Sequence, residues 1–285
     1  MKDYAEDAEG IDRIAVLRMD VDNLGQAFVS GFENKENGDR YVTLSRTAAF
    51  SRQMTIFFKY HINRILNNPV CSCLSEERRK KEGRDLSIVY SGGDDVFLIG
   101  AWNEVIEAAL DIRNCFSVYS QNQLTISGGI GLYGSSYPIH IMADETGELE
   151  SFSKKLKNKN AVTLFSDGGR YNWDVFEKIV MGEKYALLYQ FFENSEERGK
   201  SFLYKLLDYI RNREDKINVA RYLYLLARLE PSDDAPEERK ADYRQFSGTM
   251  YDWIRSDEDS RQLVTAIYLY AYHMRKKLGG QNEVR

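Results

Sequence analysis

LSIVYSGGDDVFLI, residues 86–99, is two runs of β-branched and aromatic residues closed on Ser91-Gly92-Gly93-Asp94-Asp95. Turn-forming residues between two such runs predict a tight hairpin, with strands over Leu86–Tyr90 and Val96–Ile99. Upstream, Arg13–Met19 (RIAVLRM) is apolar enough for a strand buried on both faces, and it runs into Asp20-x-Asp22. A helical stretch follows from Leu24 to Phe32, and then a polar loop. Leu44, Phe50, Met54, Phe57, Phe58, Ile62 and Ile65 recur at three- and four-residue spacing and predict a long helix that Pro69 closes. Downstream, Val105, Ala109, Ile112 and Phe116 share one face of a helix over Glu104–Ser117, and Leu124–Leu132 reads as a strand. Pro138 opens a helix carrying Ile139, Met142, Leu149 and Phe152, and Ala161–Phe165 is a last strand. The order is β-α-β-β-α-β with one further α-β. This is the α+β, ferredoxin-like or palm arrangement, an antiparallel sheet backed by helices.

Near residue 170 the pattern changes. Beyond it no strand is predicted, and helical periodicity runs over Val175–Phe192, Ser201–Asn212, Val219–Leu229, Asp242–Arg255 and Ser260–Lys277. Leu263, Ile267, Tyr270, Ala271 and Met274 form an apolar stripe on the last of these. The expectation is a palm domain over 1–170 and an all-helical bundle over 171–285. The chain has 285 residues, 43% hydrophobic and 29% charged, the balance of a folded soluble protein rather than a disordered or collagenous one. No apolar run reaches membrane-spanning length, and the acidic start MKDYAEDAEG reads as neither a signal nor a transit peptide. Three cysteines, Cys71, Cys73 and Cys115, make no disulfide framework and no zinc spacing, which points to a reducing, cytoplasmic compartment. A net charge of -5 argues against gripping bulk nucleic acid by charge alone, though not against membership of a complex that does.

Two acidic clusters carry the chemistry: Asp20-x-Asp22 at the end of the first strand and Asp94-Asp95 in the hairpin. The first strand and the strand that enters the hairpin are expected to be neighbours, so the clusters would converge at one sheet edge. Carboxylates packed together repel and resist ionisation. A divalent cation resolves this, and an oxygen-only ligand set selects Mg²⁺ or Mn²⁺ over zinc. Gly92 and Gly93 remove side chains at the turn, so a bulky ligand can approach the backbone N–H groups. Acids, a hard metal and an open glycine turn suit a nucleoside triphosphate and metal-assisted nucleotidyl transfer. The plainer alternatives are a helix N-cap, mainly for Asp22, and a simple hairpin turn for the glycines.

MDVDNLG at 19–25 followed by SGGDD at 91–95 resembles the second palm domain of the Cas10/Csm1 large subunit of type III-A CRISPR effector complexes. The likeness continues through ISGGIGLYGSSYPIHIMADETGELESFSKKLKNKNAVTLF at 126–165 and into SFLYKLL and YLYLLARL of the helical half. It is looser to GGDEF-type and class III nucleotidyl cyclases, which share the palm. The resemblance implies an ATP-binding nucleotidyltransferase that makes 3'-5' cyclic oligoadenylates and pyrophosphate when target RNA is bound. Carried over by position, Asp20, Asp94 and Asp95 are the implied catalytic and metal-binding acids. Ser91, Gly92 and Gly93 would lie against the nucleotide, and Lys155, five residues before Asn160, against the triphosphate. Lys155 is otherwise a solvated member of the basic run KKLKNK. Implied partners are the other subunits of the complex, and guide and target RNA through it. The chain holds no His-Asp dipeptide and only one Gly-Gly-Asp-Asp, so the family's nuclease domain and first palm are expected from a missing N-terminal half or a partner. The competing readings are a GTP-using diguanylate cyclase and a non-catalytic structural subunit.

Three remaining signals weigh less. Gly129-x-Gly131-x-x-Gly134 matches a dinucleotide fingerprint in letters but leads into Ser-Ser-Tyr-Pro, so it reads as a glycine-lined strand. Arg78–Lys81 with Arg84 reads as a solvated basic loop. His61, His140 and His273 fall on helical segments and offer no base.

Overall fold

The structure is a computed structural model and describes residues 1–33, 41–74, 83–193 and 200–275. Its described residues divide into two compact units, 1–173 and 174–275.

The first unit is built on a six-stranded sheet. Its strands are β1 (Ile14–Val21), β2 (Leu86–Gly92), β3 (Asp95–Ala101), β4 (Ile126–Tyr133), β5 (Ala161–Leu164) and β6 (Arg170–Asn172), in the order β2-β3-β1-β4-β5-β6. All neighbours are antiparallel except β4 and β5. The ferredoxin-like order is therefore present, but one expectation needs correction. β1 pairs with β3, the strand that leaves the hairpin, and β2 is the sheet edge. The alternation of β2 gives the reason: Val89 and Tyr90 are exposed, whereas the more apolar β3 is buried over most of its length and takes the interior position.

Helices cover both faces. On one face lie α3 (Leu44–Ile56), a π-helical stretch Phe57–His61, α4 (Ile62–Asn67) and α5 (Trp102–Tyr119). Phe57, Phe58, Ile62, Ile65 and Phe116 are buried there, and the Phe57 and Phe116 rings meet edge-on at 5.0 Å. On the other face lie α1 (Lys2–Asp7) and α6 (Ile139–Lys154), where Ala5, Ile14, Val16, Ile99, Tyr133 and Met142 form a cluster. The remaining helix, α2 (Leu24–Ser30), follows β1 directly. Gly129 sets the closeness of α6 to β4, since a Cβ there would stand 2.3 Å from the Glu150 amide nitrogen. The glycine-rich segment is thus a strand running into a turn, and its Gly129 makes room for a helix.

Arg84 corrects a second expectation. Its side chain is fully buried, paired with Glu104, Glu107 and Asp111 of α5, and its guanidinium also donates to the Cys71 carbonyl. Three carboxylates on one helix face need a cation, and only a guanidinium has enough forked donors to serve them all. Residues 78–81 lie outside the described residues.

The second unit begins within a short helix α7 (Trp173–Val175) and continues as a π-helical stretch Phe176–Tyr185, α8 (Ala186–Glu193), α9 (Lys200–Arg211), α10 (Lys216–Ala227), α11 (Glu237–Arg255) and α12 (Asp257–His273). Phe176, Leu188, Leu206, Tyr222, Phe246 and Leu263 are among its buried side chains. The predicted stripe on α12 is buried except Met274, which follows the helix and is exposed. Lys184 is fully buried, 2.8 Å from Asp259 Oδ1, with its ammonium 4.4 Å from the Trp253 ring centroid.

Candidate nucleotide and metal site

β1 and β3 carry the acids to one place because of their register. Asp20 stands directly opposite Asp95, and the Val21 amide donates to the Asp94 carbonyl at 3.1 Å, tying the hairpin turn to the end of β1. Asp20, Asp94 and Asp95 are therefore brought together, all partly exposed. Burial and the neighbouring Asp94 carboxylate push the Asp95 carboxyl up, against the pull of Arg18. Gly93 adopts φ +67° at the turn, with open space where a side chain would be. Gly92 is buried in β2.

Ser91 behaves differently. Its hydroxyl donates to the Phe58 carbonyl, an acceptor in the π-helical stretch where the ordinary helical ladder shifts register. This bond ties the hairpin to the helix behind it.

The basic groups come from α6 and β1. Lys154 Nζ lies against Asp20 Oδ2 and 3.0 Å from Glu150 Oε1. Arg18, two residues before Asp20 on the same strand face, pairs with Glu150 at 3.6 Å. Burial, with Lys159 and Arg18 nearby, brings the Lys154 ammonium down to about 8. Burial likewise raises the Glu150 carboxyl, which Arg18 pulls down and Asp95, Asp22 and Asp94 push further up. Lys155, by contrast, caps the end of α6 with its ammonium 4.6 Å from the Phe152 ring centroid, turned to a different neighbour from Lys154. Sequence reasoning passed over Lys154, Glu150 and Arg18. The signal was available in the Glu150–Lys154 spacing of four on a helix and in the two-residue step from Arg18 to Asp20.

Asp22 is not the N-cap of α2. That position belongs to Asn23, at φ 55° and without a side-chain cap bond. Asp22 is buried, and its Oδ2 accepts from the Thr125 hydroxyl at 2.7 Å, the Ser127 hydroxyl at 3.0 Å and the Asn160 amide at 3.0 Å. It clasps β1, β4 and the approach to β5, and its Oδ1 has no hydrogen-bond partner. Lys159 joins the same clasp through a 2.6 Å bond to the Asn23 side chain.

No group of three or more His, Cys, Asp or Glu side chains stands in metal-holding geometry among the described residues. Asp20 and Asp95 at the paired ends of β1 and β3, with Asp94 beside them, are oxygen donors of the kind a hard cation takes, and here the Asp20 carboxylate is paired with the Lys154 ammonium. A cleft of about 480 Å³ in the first unit is lined by Phe32, Phe50, Met54, Tyr119, Gln53 and Gln123, and by none of the acids. Leu124, also in its wall, is the residue before Thr125, whose hydroxyl bonds Asp22.

Residues 13–163 match the model of the Cas10/Cmr2 second palm domain, and 189–276 match the second helical domain of the CRISPR RNA silencing complex Cmr2 subunit. The chain belongs to the Cas10 family. It is 43% identical over 276 residues to the CRISPR system single-strand-specific deoxyribonuclease Cas10/Csm1 (subtype III-A) of Mycobacterium tuberculosis, covering 96% of this chain and 33% of that protein. The Streptococcus thermophilus Cas10/Csm1 is 41% identical over 274 residues, covering 95% and 34%. The chain thus spans about a third of these Cas10 relatives. Among solved structures, Csm1 of T. onnurineus superposes with a TM-score of 0.70 at 25% identity, over 96% of this chain and 39% of that one. A Csm1–Csm4 cassette in complex with cA4 superposes at 0.67 and 26% identity, over 95% and 38%. No helix among the described residues is long and apolar enough to cross a membrane.

Proposed function

We propose that this chain is the catalytic palm and helical portion of a Cas10/Csm1 subunit, which binds ATP with a divalent cation and joins it into 3'-5' cyclic oligoadenylates within a type III-A complex bound to target RNA. The observation that carries this reading is the cross-strand placement of Asp20 against Asp95 beside Asp94, with Lys154 resting on Asp20. Solved Csm1–Csm4 cassettes in complex with one ATP, cA3 and cA4, all with TM-scores of 0.62 or more and at least 26% identity, support nucleotide chemistry for the family.

Asp20, Asp94 and Asp95 would hold Mg²⁺ or Mn²⁺. Bound there, the ion would supply Lewis-acid polarisation of the α-phosphate and a lower pKa for an attacking 3'-hydroxyl. Lys154 exchanges Asp20 for the triphosphate, where an ammonium stabilises the charge of the leaving pyrophosphate. Glu150 keeps that ammonium at the edge during the exchange. Gly93 leaves the turn open so that phosphates reach the backbone. Lys155 remains a peripheral contact to the phosphates. The remaining subunits and the guide and target RNA would be supplied by the assembled complex.

The test is a full complex, assembled with partner subunits, guide and target RNA, given labelled ATP and Mg²⁺ or Mn²⁺. Cyclic adenylates should form and disappear with Asp94→Ala/Asp95→Ala. A complex making no such product, or making it equally with the double variant, returns the palm to a purely structural role. Product from GTP instead of ATP would make it a diguanylate-cyclase-like enzyme.

A further inference from the structure

Cys71 and Cys73 lie away from the acids, on the segment between α4 and β2. Their sulfurs are 3.5 Å apart, in contact but unbonded. The backbone beneath them is held on several sides by α5. The Cys71 amide donates to Asp111 Oδ1 at 2.9 Å, the Val70 amide to Asp111 Oδ2 at 3.2 Å and the Leu74 amide to Glu107 Oε1 at 2.6 Å. The Cys71 carbonyl accepts from Arg84 at 3.0 Å. The buried Arg84 cluster therefore does more than neutralise carboxylates: it fixes the backbone from which both thiols project. Thiols separated by one residue are ordinarily free to part, and closing a bond between them costs the ordering of that backbone. Here the folded chain has already met that cost.

We propose that Cys71 and Cys73 are a dithiol modification site that a peroxide oxidises reversibly to an intramolecular disulfide, in preference to Cys115. Cys73 is exposed and Cys71 half-buried, so the oxidant reaches the pair from solvent. The Cys73 thiol holds Cys71 below its ordinary range, whereas burial pushes Cys115 up. The Cys71 thiolate attacks a peroxide oxygen; the S–O bond forms, the O–O bond breaks and hydroxide leaves. The Cys73 sulfur then attacks the Cys71 sulfenic sulfur; the S–S bond forms, the S–O bond breaks, and the departing hydroxide takes the Cys73 proton as water. Overall, two thiols and one hydrogen peroxide give one disulfide and two waters, and an exogenous dithiol reverses the change.

The experiment oxidises the whole chain with a small excess of hydrogen peroxide, quenches it by alkylation in denaturant and maps the cysteines by mass spectrometry. The expected peptide containing Cys71 and Cys73 is unalkylated and lighter by two hydrogens, Cys115 is alkylated, and dithiothreitol restores both thiols. The same oxidation of guanidinium-unfolded chain should close the bond at least about tenfold more slowly, since the α5 clamps are gone. Separate adducts on Cys71 and Cys73, oxidation of Cys115 at an equal rate, or equal closure in folded and unfolded chain would each overturn the inference.

Discussion

Lys154 and Lys155 are adjacent and chemically identical, yet one lies on Asp20 and the other on Phe152. A helix turns its neighbouring positions by about 100°, so a shift of one residue decides which ammonium meets the acids. If the proposed site holds, Lys154→Ala removes a charge-assisted contact worth about 1.5–3 kcal/mol and weakens metal–ATP binding roughly 10- to 100-fold. Lys155→Ala should change it less than about threefold, since the contact it loses is an exposed one. Calorimetric titration of the two variants separates them, and the reverse order would return the triphosphate role to Lys155. The sequence showed Asp20, Asp94 and Asp95 as two acidic clusters at a strand end and a glycine turn, and the β1–β3 register brings them together. Asp22 was legible only as an acid. Nothing local distinguishes an N-cap from a buried clasp, because its three donors come from residues more than a hundred positions away.

At the scale of elements, the close approach of α6 to β4 controls the site, since α6 carries Glu150 and Lys154. Gly129→Ala would place a methyl 2.3 Å from the Glu150 amide nitrogen and 2.7 Å from the Thr146 carbonyl, both backbone atoms that cannot swing aside. The expected loss is about 1–3 kcal/mol of stability, read by urea denaturation. Nucleotide affinity should fall as well, because the helix must move. Gly134→Ala, whose added Cβ meets only Arg13 at 3.6 Å, should stay within about 0.5 kcal/mol of the parent. Equal losses would mean that α6 yields without strain. Most elements were readable from periodicity: the hairpin strands form over the expected residues, and the α5 and α12 stripes bury the residues their spacing picked out, Met274 excepted. The π-helical stretches over Phe57–His61 and Phe176–Tyr185 were not readable as such, because their side-chain pattern is close to that of an α-helix and only the hydrogen-bond register differs.

At the scale of the whole chain, the two units rest on different kinds of buried charge, and the helical one yields a pH prediction. Burial pushes the Asp259 carboxyl up, but the Lys184 ammonium and the Ser256 contact outweigh it and hold the group below the usual carboxylate range. A carboxyl depressed by folding adds stability that is fully present above its unfolded value of about 3.9 and is lost as pH falls through the folded value. Melting temperature should therefore drop on acidification below about pH 4, and Asp259→Asn should flatten that part of the profile while lowering stability at neutral pH. A variant whose acid limb matches the parent would place the acid sensitivity elsewhere. The sequence by itself determined the palm order, the helical second half and the family, because strand alternation, helical spacing, turn residues and motif letters are local and survive without coordinates. Tertiary structure alone decided which hairpin strand meets β1, which lysine meets Asp20, and that Arg84 is buried among three carboxylates rather than solvated. Those are contacts between distant segments. Their outcome depends on which surfaces bury more apolar area and on which charges find partners once water is excluded, and neither quantity belongs to any single stretch of the chain.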